Sequence, residues 1–325
     1  LDAVPPHARL ILLGDRDQLA SVDAGAVLGD ICNAEGARGF SAGFAGRVAE
    51  ICGEKPLESA NEKPTTGVWD CVAHLTKSYR YKETSGIGVL ARAVNAGDVA
   101  SVRRILSSSD YQDVSLRPLP EGAGLGDELR DLIIEGYRPY LTTGNAASKF
   151  DAFNQFRVLC AHRRGPHGVD DTNELIERAL ASARLLTKSG AFYAGRPVLV
   201  TTNDYNVRLF NGDIGLILEE EPSRGRLTAT FSAPDGATRS LAPSRLPPHE
   251  TAFAMTIHKS QGSEFDEVVV LLPEEISPIL SRELIYTAVT RARSKVTIFG
   301  DAEVVAHAVA QRIERASGLR EAIWE

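Results

Sequence analysis

A polar loop between two apolar strands constrains this chain more than any other feature. Residues 252–266 read AFAMTIHKSQGSEFD, and the apolar run 267–272 follows directly. The pattern predicts a strand that ends at Met255, a loop that includes residues 256–262, and a second strand that begins after Asp266. In open α/β sheets, ligands bind beyond the ends of the strands. We therefore expect phosphates or nucleic acid to bind at this loop.

A helix is predicted downstream of this loop, over residues 282–293. At about 100° per residue it has one apolar face, formed by Leu284, Ile285, Ala288, Val289 and Ala292. Arg291 borders this face, and Arg293 lies beyond its other edge. Neither arginine has an acidic residue three or four positions away, so each is expected to contact water or a distant anion. For either arginine alone, a solvated side chain lying over the core is the alternative.

Helical and strand-like segments alternate along much of the chain. The apolar patterns predict, in chain order, a buried strand at 9–14, a helix at 127–140, a buried strand at 156–161 and a helix at 171–186. Asp171 or Thr172 is the expected N-cap of the last helix. Alternation of this kind is typical of a mostly parallel sheet.

The sequence pattern changes between residues 195 and 249. Short β-prone runs at 197–202, 214–218 and 227–231 are separated by turn sequences such as Asn211-Gly212-Asp213. No helical period intervenes. We predict a small antiparallel barrel inserted between two strands of the α/β lobe.

The composition is that of an ordinary globular protein, with 43% hydrophobic and 24% charged residues. The net charge of −7 argues against a protein that coats nucleic acid through bulk positive charge, but it leaves a narrow binding groove possible. No apolar run is long enough to span a bilayer, so we expect a cytoplasmic protein without membrane contact. The four scattered cysteines are expected to be reduced thiols: Cys32, Cys52, Cys71 and Cys160.

Several of these segments resemble one family. AMTIHKSQGSEFD and ELIYTAVTRAR resemble the fifth and sixth motifs of superfamily-1 helicases, LILLGDRDQLASVDAGAVLGDIC resembles the third, and LTKSYRY resembles the fourth. RVLCAHRRGPHGVDDTNELIE and GRPVLVTTNDY with LFNGDIGLIL resemble the RecD type, the alpha subunit of bacterial exodeoxyribonuclease V. We name residues 256–264 the fifth-motif loop.

The resemblance implies an α/β fold of RecA-like helicase lobes, one truncated and one complete, with an inserted small SH3-like β-barrel. The implied domains are a remnant of the first lobe at 1–73, the second lobe at 74–192 and 250–325, and the barrel at 193–249. The chain begins at Leu1, its only methionine is Met255, and it contains no Gly-Lys pair for a phosphate-binding loop. We therefore expect a piece of a longer protein that lacks the Walker A and Walker B region.

The resemblance also implies roles for individual residues. The expected catalytic residues, which sense or neutralise the γ-phosphate, are Gln18, Arg80 and Arg291. The expected nucleotide-binding residues are Asp15, Gln261, Gly262 and Glu264. The expected DNA-binding residues are Thr256, His258, Lys259, Ser260, Asn203 and Asn211.

Each role has a structural alternative. His258 alone would be interpreted as a satisfied loop histidine, although Lys259 and Ser260 beside it favour a donor-only pocket for an anion. The segment GDRDQ alone would be a turn capped by aspartate side chains. Turn formation alone explains Asn203 and Asn211. The third motif has no aromatic residue to stack on bases, so contacts to the DNA backbone are expected there instead.

The implied function is an ATP-dependent 5′-to-3′ single-stranded DNA translocase or helicase subunit of a helicase–nuclease complex in double-strand break repair and recombination. Its implied ligands are ATP and Mg²⁺, bound mainly by the missing N-terminal part, and its partners are single-stranded DNA and the beta and gamma subunits of exodeoxyribonuclease V. The chain by itself is expected to lack ATPase activity. The alternatives are a standalone RecD-like or conjugative helicase, and a non-catalytic DNA-binding or assembly module.

Overall fold

The computed structural model describes most of the chain: residues 4–5, 7–20, 27–32, 40–53, 69–75, 81, 84–122, 124–220, 225–232, 237–313 and 318–324. The chain divides into two units. The first unit comprises residues Leu1–Tyr79 and Ile313–Glu325, and the second comprises Arg80–Arg312. The domain boundaries given above stay predictions.

The helices of the described residues are α1 (Val27–Cys32), α2 (Ala42–Cys52), α3 (Gly86–Ala96), α4 (Val99–Ser107), α5 (Gly126–Thr142), α6 (Ala146–Phe153), α7 (Val169–Ser182), α8 (Arg282–Val289), α9 (Ala302–Ala310) and α10 (Leu319–Trp324). Short 3₁₀ turns occur at Trp69–Cys71, Pro243–Arg245 and His258–Ser260. The described part of the chain has no helix with the length and apolar composition that crossing a membrane requires.

The strands are β1 (Val114–Arg117), β2 (Phe156–Cys160), β3 (Pro197–Val200), β4 (Ile214–Glu219), β5 (Leu227–Ser232), β6 (Thr238–Leu241), β7 (His249–Thr251), β8 (Ala254–Thr256), β9 (Phe265–Leu271) and β10 (Ala292–Phe299). They form two five-stranded sheets, both in the second unit.

The first sheet is parallel, with strand order β1-β10-β9-β2-β8. Val158 of β2 pairs with Ala254 of β8 on one side and with Val269 of β9 on the other. All five residues of β2 are buried, as expected for a strand in a sheet that is covered on both faces. The predicted α/β architecture with a parallel sheet is confirmed. Because β8 and β9 flank β2, the chain crosses the sheet between them, and the fifth-motif loop makes that crossing.

An aromatic core packs helices α5, α6 and α7 against this sheet. The Tyr137 ring meets the rings of Phe156 and Phe253 edge to face, with centroids 4.9 Å and 5.1 Å away. Its buried hydroxyl donates a hydrogen bond to the carbonyl of Phe253. Burial raises the pKa of Tyr137, so the hydroxyl keeps its proton and remains a donor. This contact holds the residue that directly precedes β8.

The second sheet is antiparallel, with strand order β6-β5-β4-β3-β7. Its own core contains Val198, Val200, Val207, Leu209, Ile217, Ala229 and Phe231. Gly215 of β4 is required by packing, because an added Cβ would lie 2.6 Å from the ring of Phe231 on β5. The predicted antiparallel strands are therefore present between α7 and β8. Their assignment as an SH3-like barrel stays a prediction.

The predicted buried strand at residues 9–14 is wrong. The segment has no strand pairing in the described residues, and its side chains are exposed: Ile11 is 79% and Leu13 is 89% accessible. An apolar run is buried as a strand only when neighbouring strands supply both hydrogen bonds and a packing surface. No named strand of the first unit occurs in the described residues.

Two predicted helix boundaries are also wrong. The helix predicted at 282–293 ends at Val289, and the chain enters β10 at Ala292. Pairing of β10 with both β1 and β9 outweighs the helical period of the sequence. Helix α7 begins at Val169 with Gly168 as its N-cap, so neither Asp171 nor Thr172 has that position. Both residues lie inside the first turns of the helix instead.

Candidate nucleotide and DNA site

The fifth-motif loop begins at the carboxyl end of β8, an edge strand of the parallel sheet. The Asn173 amide on α7 exchanges two hydrogen bonds with the backbone of Ala254: Nδ2 donates to its carbonyl at 3.0 Å, and Oδ1 accepts from its N–H at 2.9 Å. The Ile257 N–H then donates to the carbonyl of Cys160, the last residue of β2, at 3.0 Å. These bonds place the start of the loop beside the end of β2.

Hydroxyl groups shape the loop from within. The Thr256 hydroxyl accepts the Lys259 N–H at 3.3 Å, and the Ser260 hydroxyl donates to the Ile257 carbonyl at 2.7 Å. Ser260 is fully buried, whereas His258 and Lys259 are half-buried. The expected donor-only pocket of hydroxyl, ammonium and imidazole is therefore not formed as such, because the serine hydroxyl is directed into the loop. The DNA-binding roles of Thr256, His258, Lys259 and Ser260 stay predictions.

Glu250 of β7 connects the antiparallel sheet to the loop. Its carboxylate accepts the Lys259 ammonium at 3.0 Å on one oxygen and the Arg163 guanidinium at 2.7 Å on the other. The Glu250 and Lys259 side chains are 19% and 29% exposed, so their ion pair is partly shielded from solvent, whereas Arg163 is 54% exposed. The fifth-motif loop, the loop after β2 and the antiparallel sheet thus share one carboxylate.

Arg291 of the sixth motif is buried against the fifth-motif loop. Its Nε donates to the Thr287 carbonyl at 3.2 Å, and its Nη1 donates to the carbonyls of Ser263 at 2.9 Å and Ser260 at 3.5 Å. Its own carbonyl accepts the Phe265 N–H at 2.9 Å. These acceptors are all backbone carbonyls, and a contact of Arg291 with water or a distant anion stays a prediction. Arg291 holds the loop to the helix end, which brings the fifth and sixth motifs together.

The second arginine of the sixth motif pairs with the loop from outside. Arg293 Nε lies 3.1 Å from Glu264, and Nη1 lies 3.9 Å from Asp266. This agrees with the expectation for Arg293, because both carboxylates lie far from it in sequence and neither belongs to a local helix pair. The expected nucleotide ligand Glu264 is thus an ion-pair partner of Arg293. Gly262 has a φ of +80°, a left-handed conformation that glycine adopts without strain, and Gln261 directly precedes it.

Tyr81 joins the fourth motif to the backbone on both sides of Arg291 in the sixth motif. Its hydroxyl lies 3.1 Å from the Thr290 carbonyl and 2.7 Å from the Ala292 carbonyl, on either side of Arg291. Arg80 itself lies outside the described residues, so its role as an arginine finger stays a prediction. The fourth motif nevertheless contacts the sixth through the residue next to Arg80.

A fully buried arginine supports the strands on which the loop is carried. The Arg157 guanidinium of β2 lies 3.7 Å from the ring centroid of Phe153 and 4.8 Å from that of Phe265. It donates to the Ala252 carbonyl at 2.8 Å. Burial lowers its pKa to about 10, so it stays protonated at neutral pH. It ties β2 to the residues that lead into β8 and β9.

The other expected site residues form local turns. Asp15 accepts the Gln18 side-chain amide at 2.8 Å and the Asp17 N–H at 3.1 Å, which is the hydrogen bonding of an aspartate-capped turn. Asn203 accepts the Asn211 N–H at 2.8 Å in the antiparallel sheet. The nucleotide roles of Asp15 and Gln18 and the DNA roles of Asn203 and Asn211 stay predictions.

Comparison with known proteins identifies the family. The UvrD-like helicase C-terminal domain family matches residues 251–299, which contain the fifth-motif loop and Arg291. The RecBCD enzyme subunit RecD of Mycolicibacterium smegmatis is 37% identical over 98% of this chain and 50% of its own length. The chain belongs to the RecD family. It spans about half the length of the curated relatives it matches.

Two more distant similarities lie within helicases. The ATP-dependent RecD2 DNA helicase of Deinococcus radiodurans is 30% identical over 99% of this chain and 37% of its own length. A crystal structure of the Pif1 helicase from Bacteroides in complex with ADP-AlF3 and single-stranded DNA is 19% identical. The similarity covers 74% of this chain and 53% of that chain, with a TM-score of 0.39.

Sequence reasoning missed Glu250, Arg163 and Tyr81. Glu250 and Arg163 are 87 residues apart, so no local spacing relates them. The only available signal was position, since Arg163 follows β2 and Glu250 lies close before the fifth motif. Tyr81 directly follows Arg80 in a segment that resembles the fourth motif, but a functional role was predicted only for Arg80.

Proposed function

We propose that this chain carries the third to sixth motifs of an ATP-dependent DNA helicase subunit that translocates 5′ to 3′ on single-stranded DNA. The proposed setting is a helicase–nuclease complex with the beta and gamma subunits of exodeoxyribonuclease V, acting in double-strand break repair and recombination. The finer architecture belongs to the same proposal: RecA-like lobes, with the antiparallel sheet as an SH3-like insertion.

The contact between Arg291 and the fifth-motif loop carries the proposal. Phosphoryl transfer needs positive charge placed beside the γ-phosphate, and a buried arginine next to a glycine turn offers such a charge. The same loop has Thr256, His258 and Lys259 at its other end, where we place the DNA phosphates. Because Arg291 binds the carbonyls of Ser260 and Ser263, movement at the nucleotide shifts the DNA-contacting end.

The expected Mg²⁺ has no cluster of ligands in the described residues. The described residues contain no group of three His, Cys, Asp or Glu side chains that could hold a metal ion. The carboxylate of Asp15, one of the expected nucleotide-binding residues, accepts hydrogen bonds from the Gln18 side chain and the Asp17 N–H. These residues do not fit a metal site of their own, so no step of the proposal passes through Mg²⁺.

A DNA-binding experiment tests the proposal on this chain. Fluorescence anisotropy of a labelled oligonucleotide should show single-stranded DNA binding without ATP hydrolysis, because the chain contains no Gly-Lys phosphate-loop pair. The double substitution Thr256→Ala/His258→Ala should weaken binding equally for unrelated sequences. It should also change the slope of log affinity against log salt by at most about one unit.

Arg103→Ala is the matched control, because Arg103 is an exposed arginine of α4 paired with Glu303 at 2.7 Å. It should bind DNA like the parent chain. Unchanged affinity in the Thr256→Ala/His258→Ala variant would return His258 to its structural interpretation and place the DNA elsewhere.

The Deinococcus relative is named as an ATP-dependent DNA helicase without mention of a complex, so a standalone helicase is the second candidate. Purification of the whole tagged protein from its own cells distinguishes the two candidates. Stoichiometric recovery of beta and gamma subunits supports the complex, and recovery of an active single polypeptide supports the standalone helicase.

A further inference from the structure

A tight hairpin projects from the antiparallel sheet between β3 and β4. Asp204 and Leu209 exchange two backbone hydrogen bonds, at 2.7 Å and 3.0 Å. The Asp204 carboxylate accepts the N–H groups of Asn206 and Val207 at 2.9 Å and 3.3 Å. Arg239 of β6 donates to the Val207 carbonyl, which fastens the hairpin to the sheet. The hairpin is therefore a firmly bonded platform.

Apolar residues of this segment divide into an inner and an outer set. Val207 and Leu209 are buried in the core of the antiparallel sheet. Tyr205 and Phe210 are instead 76% and 43% exposed. The two outer rings lie 5.8 Å apart at 76°, an edge-to-face pair. Burial of the inner residues holds the outer rings in solvent.

The surroundings of the rings are polar and carry an exposed cation. Asn203, Asn206 and Asn211 are exposed, and so is the Arg208 side chain. Within the described part of the chain, no carboxylate lies at ion-pair distance from Arg208. Asp213 is occupied in the loop, where it accepts the Phe210 N–H at 2.7 Å.

We propose that Tyr205 and Phe210 form a stacking site for an unpaired base of single-stranded DNA, with Arg208 beside its phosphate. The proposal rests on the DNA-binding function proposed above and extends it to a site of its own. Two rings match the size of one or two bases, whereas a stable protein interface needs about 800 Å² per partner. Stacking between aromatic rings and bases tolerates any sequence, which suits a translocating protein. These rings supply the aromatic contact that the third motif lacks.

The test compares two oligonucleotides with identical backbones, oligo(dT) and an abasic strand of the same length. The parent chain should bind oligo(dT) more tightly. Tyr205→Ala/Phe210→Ala should lower affinity for oligo(dT) by about tenfold or more, within the range measured for base-stacking aromatics, and leave affinity for the abasic strand unchanged. Tyr205→Phe/Phe210→Tyr, which keeps both rings, should bind like the parent chain.

Ile276→Ala removes another exposed apolar side chain and should have no effect on either oligonucleotide. Photocrosslinking to an oligonucleotide that contains 5-iodouracil should label Tyr205 or Phe210, as identified by mass spectrometry. Thermal melting should show that the double variant is folded, because both rings lie outside the core.

The outcomes separate the two proposals. If the parent chain binds neither strand, the DNA-binding function fails, and the stacking site fails with it. If the parent chain binds both strands but the double variant binds oligo(dT) equally well, only the stacking site is overturned. Crosslinks found solely at other residues would overturn it in the same way.

Discussion

Replacement of Arg291 by alanine should lower the thermal stability of the second unit, in addition to any effect on catalysis. The guanidinium makes hydrogen bonds of 2.9 Å and 3.2 Å to the carbonyls of Ser263 and Thr287, and it is 3% exposed. A hydrogen bond from a charged group contributes about 1.5–3 kcal/mol, so the loss of these two bonds costs about 3 kcal/mol or more. For a unit of this size, about 3 kcal/mol lowers Tm by about 6–12 °C.

Arg293→Ala is the matched control, because it removes the neighbouring arginine of the same motif. Its ion pair with Glu264 is largely solvated, with the two side chains 56% and 28% exposed. Such a pair contributes about 0–1 kcal/mol, so Tm should fall by less than about 4 °C. Differential scanning calorimetry of the parent and both variants measures the difference. Equal shifts for Arg291→Ala and Arg293→Ala would refute the structural role assigned to Arg291.

Two further predictions concern buried groups of β2. Arg157→Ala should lower the free energy of unfolding by about 3–5 kcal/mol in urea denaturation, because it opens a cavity between aromatic rings and leaves the Ala252 carbonyl without its donor. Arg157→Met fills the space and should lower the free energy of unfolding less, and equal losses for the two variants would show that side-chain volume at position 157 is unimportant. Burial raises the pKa of the Cys160 thiol to about 12, so at pH 8 an alkylating reagent should modify Cys160 only after unfolding, whereas the exposed Cys52 reacts in the native protein. Rapid labelling of Cys160 in the native protein would contradict its burial.

Local patterns in the sequence determined much of the second unit. The apolar run at 156–161 became the central strand β2, and the strand–loop–strand pattern around the fifth motif became β8 and β9. The turn-rich region after residue 195 became the antiparallel sheet. These predictions were correct because side-chain periodicity and turn residues act over a few neighbouring positions, and both are visible in the sequence.

Tertiary contacts decided where charged side chains are bound. Helix α8 ends at Val289, and the Arg291 guanidinium donates to the carbonyls of Ser260 and Ser263, two acceptors that the sequence did not indicate. Glu250 pairs with Arg163, 87 residues away, a partnership that exists only after β7 is joined to β3 and β8 to β2.

The dependence of burial on tertiary contacts also explains why the apolar segment at residues 9–14 is exposed. Residues 9–14 have the composition of a strand, yet burial requires a surface to pack against, and composition alone does not supply one. Periodicity reports which faces of an element are apolar. The packing of segments that are distant in sequence decides which element covers an apolar face and which charged groups form ion pairs. Ion pairs and hydrogen bonds extend over only a few ångströms, so they form only after those segments are packed together.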